Sequence, residues 1–237
     1  MNSRLKEKKG TIIVIEGIDS SGKATQVKMV YEELVNEKYR AMRLEFPDYK
    51  SDSSALIKMY LEGKFGEDPK SVNPYAASLF FAADRFASFK SDWEKFYEEG
   101  GILILDRYVS SNMIYQAAKI EDKKKREEYL DWINDLEFKK LDLPRPDIVI
   151  FLNMPPHFCS KLNDKRLNKI NGSSKKDIHE SNSGYLEKTY EVALSAAKKY
   201  KWEVVDCVKN NSIKSINEIN NEILRIIENR LNGEVRF

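Results

Sequence analysis

Short apolar runs separated by stretches with helical periodicity set the pattern of this chain. Thr11-Ile12-Ile13-Val14-Ile15, Ile102-Leu103-Ile104-Leu105-Asp106 and Asp147-Ile148-Val149-Ile150-Phe151-Leu152 are apolar without alternation. Such runs read as strands buried on both faces. Arg43-Leu44-Glu45-Phe46 and Trp202 to Asp206 complete a set of five strands. Pro47-Asp48 ends the second, because proline cannot donate to a strand ladder. Between them, Gln26 to Lys38 repeats apolar residues at Val27, Val30, Tyr31 and Leu34 with helical spacing. Ser53 to Gly63 predicts a short helix with serine at its start and glycine at its stop. Asn73-Pro74 opens a long helix that carries Leu79, Phe80, Phe81, Ala83 and Phe86 and runs towards Glu99, where Gly100-Gly101 breaks it. Further helices are predicted over Ser110 to Lys119, Glu121 to Lys140, Pro155 to about Leu162, Tyr185 to Lys199 and Ile213 to Leu231. In Glu121 to Lys140, Tyr129, Trp132, Ile133 and Leu136 form an apolar stripe, and the charge run Asp122 to Glu128 is a solvated face. Repeated β-α order with apolar strands predicts an α/β fold, a five-stranded parallel sheet with helices on both faces. Right-handed crossovers bring the C-terminal ends of the strands to one edge, where ligands bind.

The stretch Glu16-Gly17-Ile18-Asp19-Ser20-Ser21-Gly22-Lys23-Ala24-Thr25 joins the first strand to the first helix. Strand, glycine loop and helix form the context of a phosphate-binding loop. Gly17 and Gly22 permit a tight turn whose N–H groups point inward, and the helix N-terminus adds partial positive charge. Lys23 then reaches the β- and γ-phosphates of a nucleotide. The position that ordinarily holds Mg²⁺ through a Ser or Thr hydroxyl is Ala24. A glycine turn with no ligand is the plain alternative.

Composition narrows the classes. The 237 residues carry a net charge of +2. That balance gives no ground for a nucleic-acid or membrane surface. The length suits a single domain over residues 1–237, with a polar extension at 1–10 and a lid at about 163–184. Residues 1–10 hold no apolar segment of the kind that targets or crosses a membrane, so a cytoplasmic location is expected. Cys159 and Cys207 show no paired spacing and read as small buried hydrophobes.

The remaining candidates cluster at the predicted ligand edge. Asp106 closes the third strand, where a carboxylate can orient a Mg²⁺-bound water; a strand-end cap is the plain alternative. Arg107 offers a bidentate fork to an acceptor phosphate. Arg85 lies one turn after Phe81 and can face the same cleft. The lid carries Lys165, Arg166, Lys169, Lys175 and Lys176, which suit closure over triphosphate charge. Two arginines at separate points favour transfer between nucleotides over hydrolysis.

These motifs, in this order, resemble the thymidylate kinases, which have a fold of the P-loop NTPase type. The resemblance rests on Glu16 to Lys23, Phe46-Pro47-Asp48, Leu79 to Arg85, Asp106-Arg107-Tyr108 with Ser110-Ser111, Ala117-Ala118-Lys119 and Leu143 to Asp147. It implies transfer of a phosphoryl group from ATP to dTMP with Mg²⁺, and a homodimer, for which Asn73 to Phe89 is a candidate interface. ATP would be held by Gly17, Ser20, Ser21, Gly22, Lys23, Ala24 and Thr25. dTMP would be held by Asp19 at the sugar 3′-hydroxyl, Pro47, Phe81 stacked on thymine, Arg85 at its edge, Arg107 at the phosphate, Ser111 and Gln116 near the base, and Tyr115 against the sugar. Asp106 would organise Mg²⁺. Lys23, Arg107, Asp19 and Arg166 would carry catalysis, with Arg166 supplying the lid arginine because Ser20 stands where one branch of the family places a loop arginine. Tyr49 stands where many relatives carry an acceptor-phosphate arginine, with Lys50 as a partial substitute. His179 is expected on the surface.

Overall fold

A computed structural model describes residues 9–163, 177–179 and 182–233. Five parallel strands form its sheet: β1 (Thr11–Glu16), β2 (Ala41–Glu45), β3 (Ile102–Asp106), β4 (Ile148–Asn153) and β5 (Glu203–Asp206), in the order β2-β3-β1-β4-β5. The helices are α1 (Lys23–Asn36), α2 (Ala55–Leu61), α3 (Pro74–Ser88), α4 (Glu94–Glu98), α5 (Val109–Ala118), α6 (Lys123–Asp135), α7 (Pro156–Asn163), α8 (Ser183–Tyr200) and α9 (Ile216–Gly233).

Alternate residues of the central strands feed two cores. Ile12, Val14, Leu103, Leu105, Val149 and Phe151 pack against Trp93, Met113, Ile114, Ile133, Val192 and Ala196. Ile13, Ile15, Ile104, Ile150 and Leu152 pack against Val27, Val30, Phe158, Ile219, Ile223 and Ile227. Both faces of β1 and β3 are therefore buried, which explains their unbroken apolar sequence. The edge strands β2 and β5 are only partly buried. Cys159 and Cys207 are free and buried in the second core.

The long helix predicted from Asn73 does run on. Asn73 caps it, its side chain accepting from the Ala76 N–H at 2.8 Å, and Pro74 occupies the first turn. It passes through a π-turn at Phe89–Trp93 into α4. The extra residue keeps Phe89 and Trp93 buried against the sheet. A second π-turn, Leu136–Lys140, extends α6 and buries Glu137. A small antiparallel pair, Val208–Lys209 with Ser212–Ile213, replaces the start of the predicted closing helix; Asn210 and Asn211 turn it with positive φ.

The register fixes the ligand edge. Asp106 stands beside Ile15 of β1 and Glu45 of β2, so the ends of β1, β2 and β3 form one rim. The glycine loop, Pro47 and Arg107 leave the sheet together at that rim. Of the predicted lid, residues 164–176, 180 and 181 lie outside the described residues.

Candidate active site

The glycine loop owes its shape to two positions. A Cβ at Gly17 would lie 2.5 Å from Ser21 Oγ and 3.4 Å from Leu152, so only glycine passes there without displacement. Gly22 has φ of 89° and directly precedes α1. Lys23 is buried and donates from Nζ to the Ile18 carbonyl at 2.8 Å. Burial and then Arg107 push its ammonium down to about 8, against the opposing pull of Asp106, Asp19 and Glu16. The hydroxyl oxygens of Ser20 and Ser21 are buried without hydrogen-bond partners among the described residues. Such polar groups are satisfied when a polar ligand fills the loop.

Glu16 is the residue that sequence reasoning passed over. It is fully buried and accepts from the Gly17 N–H at 2.9 Å, Ser110 Oγ at 2.7 Å and Ser111 Oγ at 2.8 Å. One carboxylate thus ties the glycine loop to the first turn of α5. A polar residue ending an apolar strand was the only signal for it. Ser111 lines the cavity below, but its hydroxyl is engaged by Glu16.

Arg107 has φ of 70°, a strained conformation for a side chain of this size. It pairs through Nη2 with Asp19 Oδ1, and its guanidinium lies 5.1 Å from the centre of the Tyr115 ring. Tyr115 Oη donates to Asp19 Oδ2 at 2.8 Å. Burial would raise the Asp19 carboxyl, but Arg107, Lys23 and Tyr115 together hold it down at about 2. Asp106 is buried, and its Oδ1 has no hydrogen-bond partner among the described residues.

Two abutting cavities share Asp19, Arg107, Phe46, Pro47, Tyr49 and Asp177. The larger, about 400 Å³, is lined by Ser20 to Gln26, Asp106 and Met154 and reaches Lys214 and Ile216. Ala24 and Thr25 both line it. The smaller, about 60 Å³, is lined by Phe81, Arg85, Ser111, Tyr115, Gln116 and His179. Gln116 Oε1 is buried there without a hydrogen-bond partner among the described residues. Arg85 and Phe81 do face one cleft, as their spacing predicts. Arg85 is also held from behind: Nε donates to Glu137 Oε2 at 3.0 Å and Nη2 pairs with Oε1, both side chains being at most 2% exposed. Asp84 accepts from the Asp48 N–H at 3.0 Å and from Ser53 Oγ at 2.6 Å, which holds the loop after β2. Tyr49 lines both cavities, whereas Lys50 is exposed and lines neither.

The surface expectation for His179 is overturned. The residue is 6% exposed, and its ring is hydrogen-bonded to Tyr60 and stacked on Tyr115. The polar sequence of the predicted lid gave no sign that His179 sits in an aromatic cluster. Arg166, Lys165, Lys169, Lys175 and Lys176 lie outside the described residues. The residues that are described do fit Mg²⁺: the unpartnered Asp106 oxygen faces the cavity that holds Lys23. Among the described residues no three metal-ligating side chains cluster, so phosphate oxygens and water would complete such an ion's shell.

A parallel sheet with a glycine loop on its central strand, a buried lysine and a paired acidic-basic couple facing a second cavity defines a phosphoryl-transfer protein of the P-loop fold. The chain belongs to the thymidylate kinase family, whose profile matches residues 15–223. It is 27% identical to the thymidylate kinase of Schizosaccharomyces pombe over 94% of both chains. It is 30% identical to a probable thymidylate kinase of Thermococcus onnurineus over 92% of this chain and 98% of the relative. The structure of thymidylate kinase from Candida albicans superposes with a TM-score of 0.68 at 25% identity, covering 94% of this chain and 93% of that one.

Proposed function

We propose that this protein transfers the γ-phosphoryl group of ATP to dTMP, giving dTDP and ADP. The observation that carries this reading is the pair of abutting cavities joined at Asp19 and Arg107. ATP lies in the larger cavity, its phosphates on the amides of Gly17 to Thr25 and on Lys23. dTMP lies in the smaller, with Phe81 on the base, Arg85 and Gln116 at its edge, Tyr115 and Asp19 at the sugar and Arg107 at the phosphate. Ser111 and Pro47 complete the wall. Phosphoryl transfer is catalysed mainly by positioning and charge, so Lys23, Arg107 and the lid arginine, Arg166, stabilise the transferring group. Mg²⁺, when bound beside Asp106, supplies charge neutralisation on the phosphates.

A homodimer is part of this reading. Tyr75, Leu79 and Phe86 of α3 are large apolar side chains exposed on one helix face, with Leu79 49% exposed. Two copies meeting through α3 would cover it. A cytoplasmic setting fits the two buried free thiols. Among the described residues no helix is long and apolar enough to cross a membrane.

Ala24 motivates the rival reading, a nucleotide-binding protein that has lost catalysis. ADP release measured with dTMP, dUMP, dGMP and CMP separates the possibilities. The proposed function requires turnover with Mg²⁺ that is clearly fastest on dTMP. Binding of ATP and dTMP without product would establish the rival, and a different best acceptor would reassign the substrate.

A further inference from the structure

His179 closes the short described stretch that begins at Asp177, and two anchors hold that stretch in place. The Ile178 N–H donates to the Leu61 carbonyl at 3.2 Å, while its side chain packs with Ile57, Tyr60, Leu61 and Ala77. The His179 N–H donates to Asp177 Oδ1 at 2.8 Å. The imidazole is then delivered between two tyrosines. Its Nε2 lies 2.7 Å from Tyr60 Oη. Its ring stacks on Tyr115 with centroids 5.5 Å apart and an interplanar angle of 14°. Each tyrosine leads onward into the smaller cavity. Tyr60 meets Phe81 edge-on at 6.4 Å, and Tyr115 donates to Asp19. Lys119 supports the Tyr60 ring from another side, its Nζ 4.8 Å from the ring centre and donating to the Val72 carbonyl at 2.9 Å.

We propose that His179 is a positioning residue of the acceptor pocket: through Nε2 it fixes Tyr60 behind Phe81, and through its ring it fixes Tyr115 beside Asp19. The inference rests on the reading of the smaller cavity as the dTMP site. Phe81 and Tyr115 face the base and sugar from two sides, so an acceptor binds well only if both rings are already in place. The two contacts of His179 set both. Burial, with Lys119 and Arg107 nearby, holds the imidazole at about 3. It is therefore neutral at physiological pH and can accept from the Tyr60 hydroxyl. A residue that acts in this way changes the affinity for one substrate and leaves the other alone.

Steady-state kinetics of the full chain test this, with dTMP and ATP varied separately. His179→Phe keeps an aromatic ring and removes Nε2; Tyr60→Phe removes the same hydrogen bond from the other end. Each single variant raises the KM for dTMP about three- to tenfold, the size of one neutral hydrogen bond, with the KM for ATP within about twofold of wild type. The double variant is no worse than Tyr60→Phe alone, because His179→Phe takes away only a hydrogen bond that Tyr60→Phe has already removed. Phe81→Ala is the control and raises the KM for dTMP by itself. If Phe81→Ala raises it while His179→Phe and Tyr60→Phe do not, or if the two are additive, the role of His179 is overturned and the cavity assignment stands. If Phe81→Ala also leaves the KM for dTMP unchanged, the cavity assignment falls and the role of His179 with it. Should His179→Phe not fold, Tyr60→Phe against Phe81→Ala decides the same question.

Discussion

Arg107 pairs with Asp19, which joins the end of β3 to the loop that follows β1. The pair sits where the two cavities meet, so whatever binds on either side contacts it. Arg107→Ala is expected to lower kcat/KM for dTMP by at least about a hundredfold, the usual loss when a preorganised charge on a transferring group is removed. Far-ultraviolet circular dichroism is expected to remain that of wild type. A variant with near-normal turnover would remove Arg107 from the reaction.

The same pair makes stability depend on pH at the acid end. The Asp19 carboxyl is held at about 2 in the folded protein, against 3.8 as its ordinary value. A group whose folded value is depressed contributes stability that is complete above the unfolded value and is lost as the pH falls through the folded one. Asp19→Asn is therefore less stable than wild type at neutral pH. The difference shrinks as the pH falls from about 4 towards 2, and urea unfolding at several pH values measures it. A difference that stays constant over that range would show that the carboxylate charge contributes nothing.

Lys23 gives a second pH effect, in binding. Its ammonium lies at about 8 without nucleotide, below the ordinary 10.5. A triphosphate favours the protonated form, so ATP binding takes up a proton between about pH 8 and 10 and weakens as the pH rises through that window. Calorimetry in buffers of different ionisation enthalpy reads the uptake directly. Lys23→Ala is expected to abolish it together with most of the affinity.

Arg85 and Glu137 make a buried ion pair between α3 and the π-turn after α6. Breaking one partner leaves an uncompensated buried charge, so Glu137→Ala is expected to cost about 3–5 kcal/mol in urea unfolding. Arg85→Met combined with Glu137→Leu is expected to be less destabilised than Glu137→Ala, yet to bind dTMP poorly. Equal stability of Glu137→Ala and wild type would contradict the burial of this pair.

Ala24 is the second residue of α1 and lies on the wall of the larger cavity. Ala24→Ser restores a hydroxyl where a Mg²⁺ ligand is ordinarily found. The Mg²⁺ concentration at half-maximal activity is expected to fall at least about twofold, since an oxygen ligand replaces a water. No change would mean that the metal is held without this position.

Local chemistry was legible in the sequence because it depends on neighbours in the chain. Unbroken apolar runs marked β1, β3 and β4, since both their faces are covered. Asn73-Pro74 marked a helix start through capping and a fixed φ. Gly17, Gly22 and Lys23 marked a phosphate loop because their spacing follows from backbone geometry. The C-terminal edge of the sheet followed from strand and helix order alone, and Asp19, Asp106, Arg107, Phe81 and Arg85 meet there.

The tertiary structure decided the partners. Strand order set which ends are adjacent, so that Asp106 stands beside Ile15 and Glu45. Glu16 reaches Ser110 and Ser111 across 94 and 95 residues, and Arg85 reaches Glu137 across 52. His179 meets Tyr60 across 119 residues. No periodicity or spacing encodes such pairs, because a side chain's partner at that separation depends on how whole elements pack. A buried carboxylate and a buried imidazole look like surface residues until the groups that satisfy them are brought alongside.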